Sequence, residues 1–446
     1  MSPRLADLTI KKTRPGRVAY LNARLLDPET GLDTIGGLLT EGEFIFDLGE
    51  HIKGEGLAED YTVIDCGGQC LAPGLVDMRA HLREPGYEHK ETIHTGSRSA
   101  AAGGVTTIAC MPSTNPTIDD VSLVHFIERR ARETSLVKVH PIAAVTKERK
   151  GEQLTELGLL SDAGAVAFSD GLNPVVNSNV LRRALSYGTI FDVLLIQHPE
   201  DMALSGSGVM NSSELSTRLG LPGIPAESEA LMAARDIRIA EMVGGRLHIA
   251  HVTTAETIEL VRRAKARGLK ITCDTAPQYF ALNENAVGDY LTFAKVRPPL
   301  RSEKDRQAVV AGIKDGTIDA VVSDHAPHDQ DSKRQPFIQA AFGIVGFETM
   351  LPLLLEMVHN SHLSLLEALA TVTCRPADLL KLRAGRLQKG FPADLVVFDP
   401  DLAWRIDRKA FQSKSKNSPF DERPVMGRAL RTVVSGRTVM AFSDED

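Results

Sequence analysis

The chain has few cysteines and no cysteine framework. Its 446 residues include five cysteines, an odd number, of which only Cys66 and Cys70 lie close together. A secreted disulfide scaffold or a four-cysteine zinc knot needs paired, regularly spaced cysteines. We therefore expect reduced thiols in the core of a cytoplasmic protein.

Long apolar runs and an excess of basic charge are also absent. No stretch of about 18 apolar residues occurs, and the first residues lack the apolar segment of a signal peptide. Lysine and arginine number 51 against 58 acidic residues, which gives a formal net charge of -7. A surface for nucleic acid or anionic membrane needs a basic field. The sequence thus predicts no nucleic-acid partner and no membrane association.

From about residue 70, short runs rich in valine, isoleucine and alanine alternate with helical patterns. Such runs, without strict polar alternation, are typical of parallel strands buried on both faces. Helices are predicted between them, for example over residues 227–243 and 254–267, the second ending at Gly268. The eight predicted strands cover residues 75–78, 105–110, 137–144, 165–169, 193–197, 247–252, 271–275 and 318–323.

Eight strand–helix units predict an α/β fold, a (β/α)8 TIM barrel over residues 71–384. An open doubly wound sheet is the alternative, but it often carries a glycine-rich dinucleotide loop after its first strand, and none is present here. The Gly103-Gly104 pair leads into a strand instead. Residues 1–70 and 385–446 contain short strands and turns, which predict one small β domain assembled from both ends of the chain.

In a TIM barrel, the catalytic and metal-binding side chains lie at the C-terminal ends of the strands. Histidine or aspartate stands at four of these ends, as His81, His198, His251 and Asp324. One histidine at such a position is more often structural than a metal ligand. Four such residues on one rim predict a divalent metal site, most favourably for zinc. Such a metal lowers the pKa of a bound water, whose proton Asp324 would accept.

Several segments resemble the bacterial class I dihydroorotases of the cyclic amidohydrolase superfamily, among them HLREPG, HIAHVTTAETIELVRRAK and DAVVSDHAPH. The similarity extends over about residues 15–440. Members of that family form dihydroorotate reversibly from carbamoyl aspartate in pyrimidine synthesis, with one or two zinc ions at the barrel mouth. The resemblance implies this fold, this acidic ligand class and zinc for the present chain.

The resemblance also assigns roles to single residues. Asp324 matches the catalytic aspartate, and Arg83 matches the arginine that binds the substrate carboxylate. Residues that line the substrate pocket in the family are matched by His328, Phe342 and Gly343. The metal ligands that the match implies are His81, His198, His251 and Asp324.

Two departures from the family pattern concern the metal. Arg79 stands where the family has the first histidine of its His-x-His pair, and Gly171 stands where it has the bridging aspartate. An arginine is permanently protonated and cannot coordinate a cation. Placed beside Asp324, it would pair with that carboxylate and supply positive charge. Asp170 replaces the bridge only if the strand end bulges, because adjacent strand residues face opposite sides.

Further departures concern the substrate. Ser113 and Arg297 stand where the family binds substrate through asparagine, and Gln278-Tyr279 follows Pro277 where the family has two histidines. Metal ligands and substrate contacts are thus altered together.

Three hypotheses remain. The chain is a non-catalytic dihydroorotase homologue with a degraded metal site, no zinc, and an oligomeric assembly or regulatory role beside aspartate carbamoyltransferase, in which Trp404 packs internally or contributes to the interface. Alternatively it is an active amidohydrolase with one zinc held by His198, His251 and Asp170 or Asp324. In the third hypothesis, arginines 79, 83 and 297 hold an anion such as carbamoyl aspartate without turnover. We favour the first.

Overall fold

The structure is a computed structural model that describes residues 15–442. The parts of the predicted β domain at residues 1–14 and 443–446 lie outside the described residues. The chain begins with five strands that belong to the small β domain. These are β1 (Arg17–Asp27), β2 (Leu32–Glu41), β3 (Phe44–Gly49), β4 (Tyr61–Asp65) and β5 (Cys70–Pro73).

Eight parallel strands then form the barrel, each paired with the next in chain order. A parallel bridge between Ala80 and His325 brings the chain after the last strand beside the first and closes the ring. The strands are β6 (Leu75–Ala80), β7 (Val105–Cys110), β8 (Lys138–Ala143), β9 (Ala167–Ser169) and β10 (Leu194–Gln197), then, after a separate parallel pair β11 (Met210–Asn211) and β12 (Gly223–Ile224), β13 (Arg246–Ile249), β14 (Ile271–Thr275) and β15 (Ala320–Val321).

Helices connect the barrel strands. Thr254 caps one of them, its side chain accepting a hydrogen bond from the Thr257 amide, and the chain leaves that helix at Gly268 with a φ of +74°. The α-helices are α1 (Ile93–Ala102), α2 (Val121–Thr134), α3 (Leu157–Asp162), α4 (Ser178–Phe191), α5 (Met202–Ser205), α6 (Glu214–Leu219), α7 (Ala226–Val243), α8 (Ala255–Ala266), α9 (Pro277–Ala281), α10 (Glu303–Lys314), α11 (Gln330–Lys333), α12 (Phe347–His359), α13 (Leu365–Ala370) and α14 (Cys374–Leu379).

The C-terminal strands return to the small domain. β16 (Leu395–Arg405), β17 (Pro424–Val434) and β18 (Arg437–Ala441) complete one sheet in the order β18-β17-β16-β5-β1-β2-β3, with β4 beside β1. The antiparallel pairing of β5 with β16 joins the two ends of the chain. The domain boundaries at residues 70 and 384 stay a prediction.

The fold prediction is confirmed. All eight predicted runs overlap barrel strands, and the runs 105–110 and 271–275 coincide with β7 and β14. Gly103 lies in a helix-to-strand connection, where a Cβ atom would stand 2.1 Å from the Phe347 carbonyl oxygen at the start of α12. Only glycine permits this close approach. Within residues 15–442, every helix is too short or too polar to span a membrane.

Candidate functional site

The four predicted chemical residues all lie at the C-terminal rim of the barrel and are buried. His81 follows β6, His198 follows β10, and His251 and Asp324 lie shortly after β13 and β15. Left-handed backbone occurs here at Arg83, His251 and Asp324, with φ values of 63°, 53° and 47°. Non-glycine residues in this region are uncommon and cluster at functional sites. The rim is therefore the candidate site.

Asp324 is held by two neighbours. Its Oδ1 atom lies 3.0 Å from Nε2 of His251, and its Oδ2 atom accepts a hydrogen bond of 3.0 Å from Nε2 of Gln278. On the other side of the imidazole, Nδ1 of His251 lies 3.0 Å from Oδ1 of Asp274. Burial lowers the pKa of His251, but Asp324 and Asp274 more than offset this and raise it overall. His251 thus lies between two carboxylates, both of which favour its protonated form.

His198 belongs to a second ionic cluster. Its Nε2 atom lies 2.9 Å from Oε2 of Glu200, which also accepts a hydrogen bond from Arg297. Two parallel bonds of 2.7 Å join the Arg297 guanidinium to Glu200. Burial raises the pKa of Glu200, but His198 and Arg297 outweigh it and hold the pKa well below its usual range. Arg297 is therefore engaged by the protein before any ligand arrives.

Arg79 is the least satisfied group at the mouth. Only 1% of it is exposed, and its Nε atom lies 3.9 Å from Oδ1 of Asp324, beyond hydrogen-bond distance. All three guanidinium nitrogens are buried without a hydrogen-bond partner among the described residues.

The charge of Arg79 affects the pKa values of three histidines. Burial lowers the pKa of both His81 and His198, and the Arg79 charge lowers each further. The same charge acts against protonation of His251. The Arg79 charge therefore acts on all three histidines that the sequence predicts as metal ligands.

The predicted bridging position is empty of any carboxylate. Asp170 accepts hydrogen bonds from the amides of Val145 and Thr146 at 2.9 and 3.0 Å and from the Thr146 hydroxyl, so its carboxylate is committed to the segment after β8. A Cβ atom on Gly171 would meet nothing nearer than Nη1 of Arg149 at 3.7 Å. Asp170 does not replace the missing group, and space for that group exists.

The predicted substrate-binding residues lie together. Arg83 donates from Nε to the Pro327 carbonyl at 3.1 Å, and its Nη2 atom lies 3.3 Å from Nε2 of His328. That imidazole nitrogen also lies 2.8 Å from the Phe342 carbonyl oxygen. A Cβ atom on Gly343 would stand 3.4 Å from it. Burial lowers the pKa of Arg83 to about 10 and that of His328 to about 2, so the guanidinium stays charged and the imidazole neutral.

The residues do not fit a catalytic zinc centre. Such a centre generally needs three protein ligands and one open position. Across residues 15–442, His, Cys, Asp and Glu side chains form no group of three or more that could hold a metal ion. His81 pairs with the Ser113 hydroxyl at 2.8 Å, His198 pairs with Glu200, and the Arg79 cation lies 3.9 Å from Asp324.

Three residues of the site had no role in the sequence analysis. Glu200 and Asp274 orient two of the histidines, and Arg149 lies beside Gly171. Asp274 carries a signal in the sequence, since a carboxylate inside an apolar strand needs a buried partner. Arg149 follows no strand directly, and spacing alone does not reveal it.

Comparisons with known proteins agree with this fold. The family profile described as Dihydro-orotase-like matches residues 68–257, and the profile Amidohydrolase family matches residues 217–440. A dihydroorotase from Ehrlichia canis is 47% identical over 423 residues, 94% of each chain. A dihydroorotase from a Wolbachia of Brugia malayi is 48% identical over 95% of this chain and 96% of its own length. The chain belongs to the dihydroorotase-like family of amidohydrolases.

Solved structures give the same architecture. The L-hydantoinase (dihydropyrimidinase) from Arthrobacter aurescens superposes with a TM-score of 0.85 at 25% identity, covering 96% of both chains. A dihydropyrimidinase from Brevibacillus agri superposes with a TM-score of 0.82 at 21% identity, covering 96% of this chain and 95% of its own. The second likeness concerns the fold alone.

Proposed function

We propose that the chain binds the ligand pair of pyrimidine biosynthesis, dihydroorotate and carbamoyl aspartate, at the barrel mouth. The names of the relatives support this ligand class, since they are dihydroorotases that match this chain over more than nine-tenths of its length. A charged Arg83 beside the neutral His328 supports the binding of a carboxylate. Guanidinium groups match carboxylates geometrically through parallel hydrogen bonds.

The geometry favours binding without metal-assisted hydrolysis. The observation that carries this proposal is the buried Arg79 guanidinium, 3.9 Å from Asp324, at the position where the family resemblance implies a metal-binding histidine. A guanidinium orients anions, but it provides no bound water of lowered pKa. The Asp324–His251 pair can still hold a proton near a bound ligand.

An active dihydroorotase or related cyclic amidohydrolase is the second candidate, and the comparisons favour it. Relatives that carry this name align with 94–95% of the chain at 47–48% identity. In this case Asp324 would move the proton during reversible ring closure, with His251 sharing it.

Turnover of both ligands by the purified full-length chain, with and without added zinc, separates the two candidates. We expect binding of at least one ligand in calorimetry, and no turnover that depends on Asp324. Zinc-dependent turnover that Asp324→Ala abolishes, and that Asp60→Ala in the β domain leaves unchanged, would establish the active enzyme. If the protein shows no binding and no turnover of either ligand, both candidates are overturned.

The assembly role beside aspartate carbamoyltransferase remains a proposal that rests on the family resemblance, as does an oligomeric state. Trp404 does not add support, because its Nε1 atom donates to the Gly427 carbonyl at 2.9 Å and its ring contacts Arg428 within the same domain. Copurification with that transferase, and loss of transferase activity without this chain, would support the role. A transferase that is fully active and separate from the chain would contradict it. A cytoplasmic location stays a prediction.

A further inference from the structure

We infer that the barrel mouth prefers an open-chain dicarboxylate to a ring-closed monoanion, and that Arg79 determines this preference. The inference rests on the proposed ligand class. The family resemblance implies a metal-binding histidine at position 79. We assign Arg79, which stands there, to binding the small-molecule anion.

The first support is that the Arg79 guanidinium lacks hydrogen-bond acceptors. Arg79 is 1% exposed, and Nε, Nη1 and Nη2 all lack a hydrogen-bond partner among the described residues. A buried charge without hydrogen bonds is costly, and an oxygen pair from outside the protein would satisfy it. The nearest carboxylate, Asp324, is already hydrogen-bonded by His251 and Gln278.

The second support is the balance of charge. Three guanidinium groups border the site: Nε of Arg79 lies 3.9 Å from Oδ1 of Asp324, Nη2 of Arg83 lies 3.3 Å from Nε2 of His328, and Nη1 of Arg149 lies 3.7 Å from where Gly171 would carry a Cβ atom. Three other carboxylates near the site are committed to protein partners. They are Asp170, held by two backbone amides, Glu200, held by Arg297, and Asp274, held between two histidines. Among the described residues, the only ion pair that these three guanidinium groups make is the 3.9 Å contact between Arg79 and Asp324, so a dianion would supply negative charge that the protein does not.

The third support is the difference between the two ligands. Carbamoyl aspartate has two carboxylates, whereas in dihydroorotate one of them has become a neutral ring carbonyl. Arg83 can take the carboxylate common to both, since it uses only Nε and Nη2 within the described protein. Arg79 can then take the second carboxylate. A charge-assisted pair of bonds is about twice as strong as bonds to a neutral carbonyl, so the open chain binds more tightly.

Calorimetric titration of the full-length protein tests this preference. We expect N-carbamoyl-L-aspartate to bind at least about tenfold more tightly than L-dihydroorotate, which corresponds to about 1.4 kcal/mol. In Arg79→Gln the two affinities should come within about twofold, because dihydroorotate loses little. Arg83→Gln should weaken both ligands alike, and Arg238→Gln, an exposed arginine on α7, should change neither.

A ligand-side comparison keeps the test decisive if Arg79→Gln fails to fold. N-carbamoyl-L-asparagine replaces only the second carboxylate by a neutral amide, and wild-type protein should bind it about tenfold more weakly than carbamoyl aspartate. Equal binding of these compounds, or of carbamoyl aspartate and dihydroorotate, overturns the inference and leaves the proposed function standing. Binding of none of them overturns the proposed function itself.

Discussion

The Nε atom of Arg79 and the Oδ1 atom of Asp324 lie 3.9 Å apart inside the barrel mouth, without a hydrogen bond between them. The same Oδ1 atom lies 3.0 Å from Nε2 of His251. The carboxylate therefore already has His251 as a partner, and the guanidinium is an additional cation in a buried space. The family resemblance implies a metal ion as the source of positive charge at that place. Arg79 supplies it permanently.

Restoring two side chains should create a zinc site. In the double variant Arg79→His, Gly171→Asp, an imidazole replaces the cation and a carboxylate enters the open space beside Gly171. The Gly171 φ of +68° is one that aspartate tolerates better than most residues. After zinc loading and dialysis, elemental analysis should find about one zinc per chain. Arg79→His alone is the control, and no gain in the double variant would contradict the account.

The Glu200–Arg297 pair should contribute measurably to stability. Glu200 is 4% exposed and makes three hydrogen bonds, two to Arg297 and one to His198. Glu200→Gln leaves the guanidinium without its counter-charge, so we expect the free energy of unfolding to fall by about 2 kcal/mol. Urea denaturation measures the free energy of unfolding. Arg297→Gln and the double variant Glu200→Gln, Arg297→Gln complete a double-mutant cycle. Additive effects of the two substitutions would show that the pair is not coupled.

Two glycines at the mouth should respond differently to alanine. A Cβ atom on Gly343 would lie 2.7 Å from the Cβ atom of Ala326, at a φ of +126°. Gly343→Ala should therefore lower the free energy of unfolding by about 2 kcal/mol or more. In Gly171→Ala the new Cβ atom meets no close atom. The only cost is the left-handed backbone conformation, which should lower the free energy of unfolding by about 1 kcal/mol. Chemical denaturation compares the variants, and the reverse order would contradict the described geometry.

Glu348 should make stability depend on pH. Its Oε1 atom accepts hydrogen bonds from the Ser99 hydroxyl and the amides of Gln412 and Ser413, yet burial raises its pKa from 4.5 to about 7. Between these values the folded state keeps a proton that the unfolded state has lost, so stability falls as pH rises through this window.

Glu348→Gln removes that titration. The wild-type protein should lose about 3 kcal/mol relative to this variant between about pH 4.5 and pH 7.5. Denaturation at several pH values measures the difference, and Glu256→Gln, an exposed carboxylate on α8, is the control. A constant difference between wild type and Glu348→Gln across this range would contradict the prediction.

The fold could be predicted from the sequence because the barrel strands are buried on both faces, as β7 is at all six residues and β14 at four of its five. Strand ends were predicted less well. β15 spans only Ala320–Val321 where the pattern covers residues 318–323, although five of those six residues are buried. Periodicity describes burial and does not report such a departure from the ladder.

The site could be predicted in part. The rim position of His81, His198, His251 and Asp324 follows from barrel geometry, since strand ends converge at one face. Their partners do not follow. That Asp170 turns to the amide of Val145, and that Glu200 binds Arg297, depends on side-chain directions between distant segments. Such contacts lie up to 97 residues apart in the chain, and no local spacing encodes them.

The zinc content of the purified wild-type chain tests the central claim most directly. After incubation with excess zinc and dialysis, the account predicts a zinc content near zero per chain, because Arg79 occupies the place of a ligand and the bridging carboxylate is missing. About one zinc or more per chain, lost when Asp324 or His251 is replaced by alanine, would contradict it.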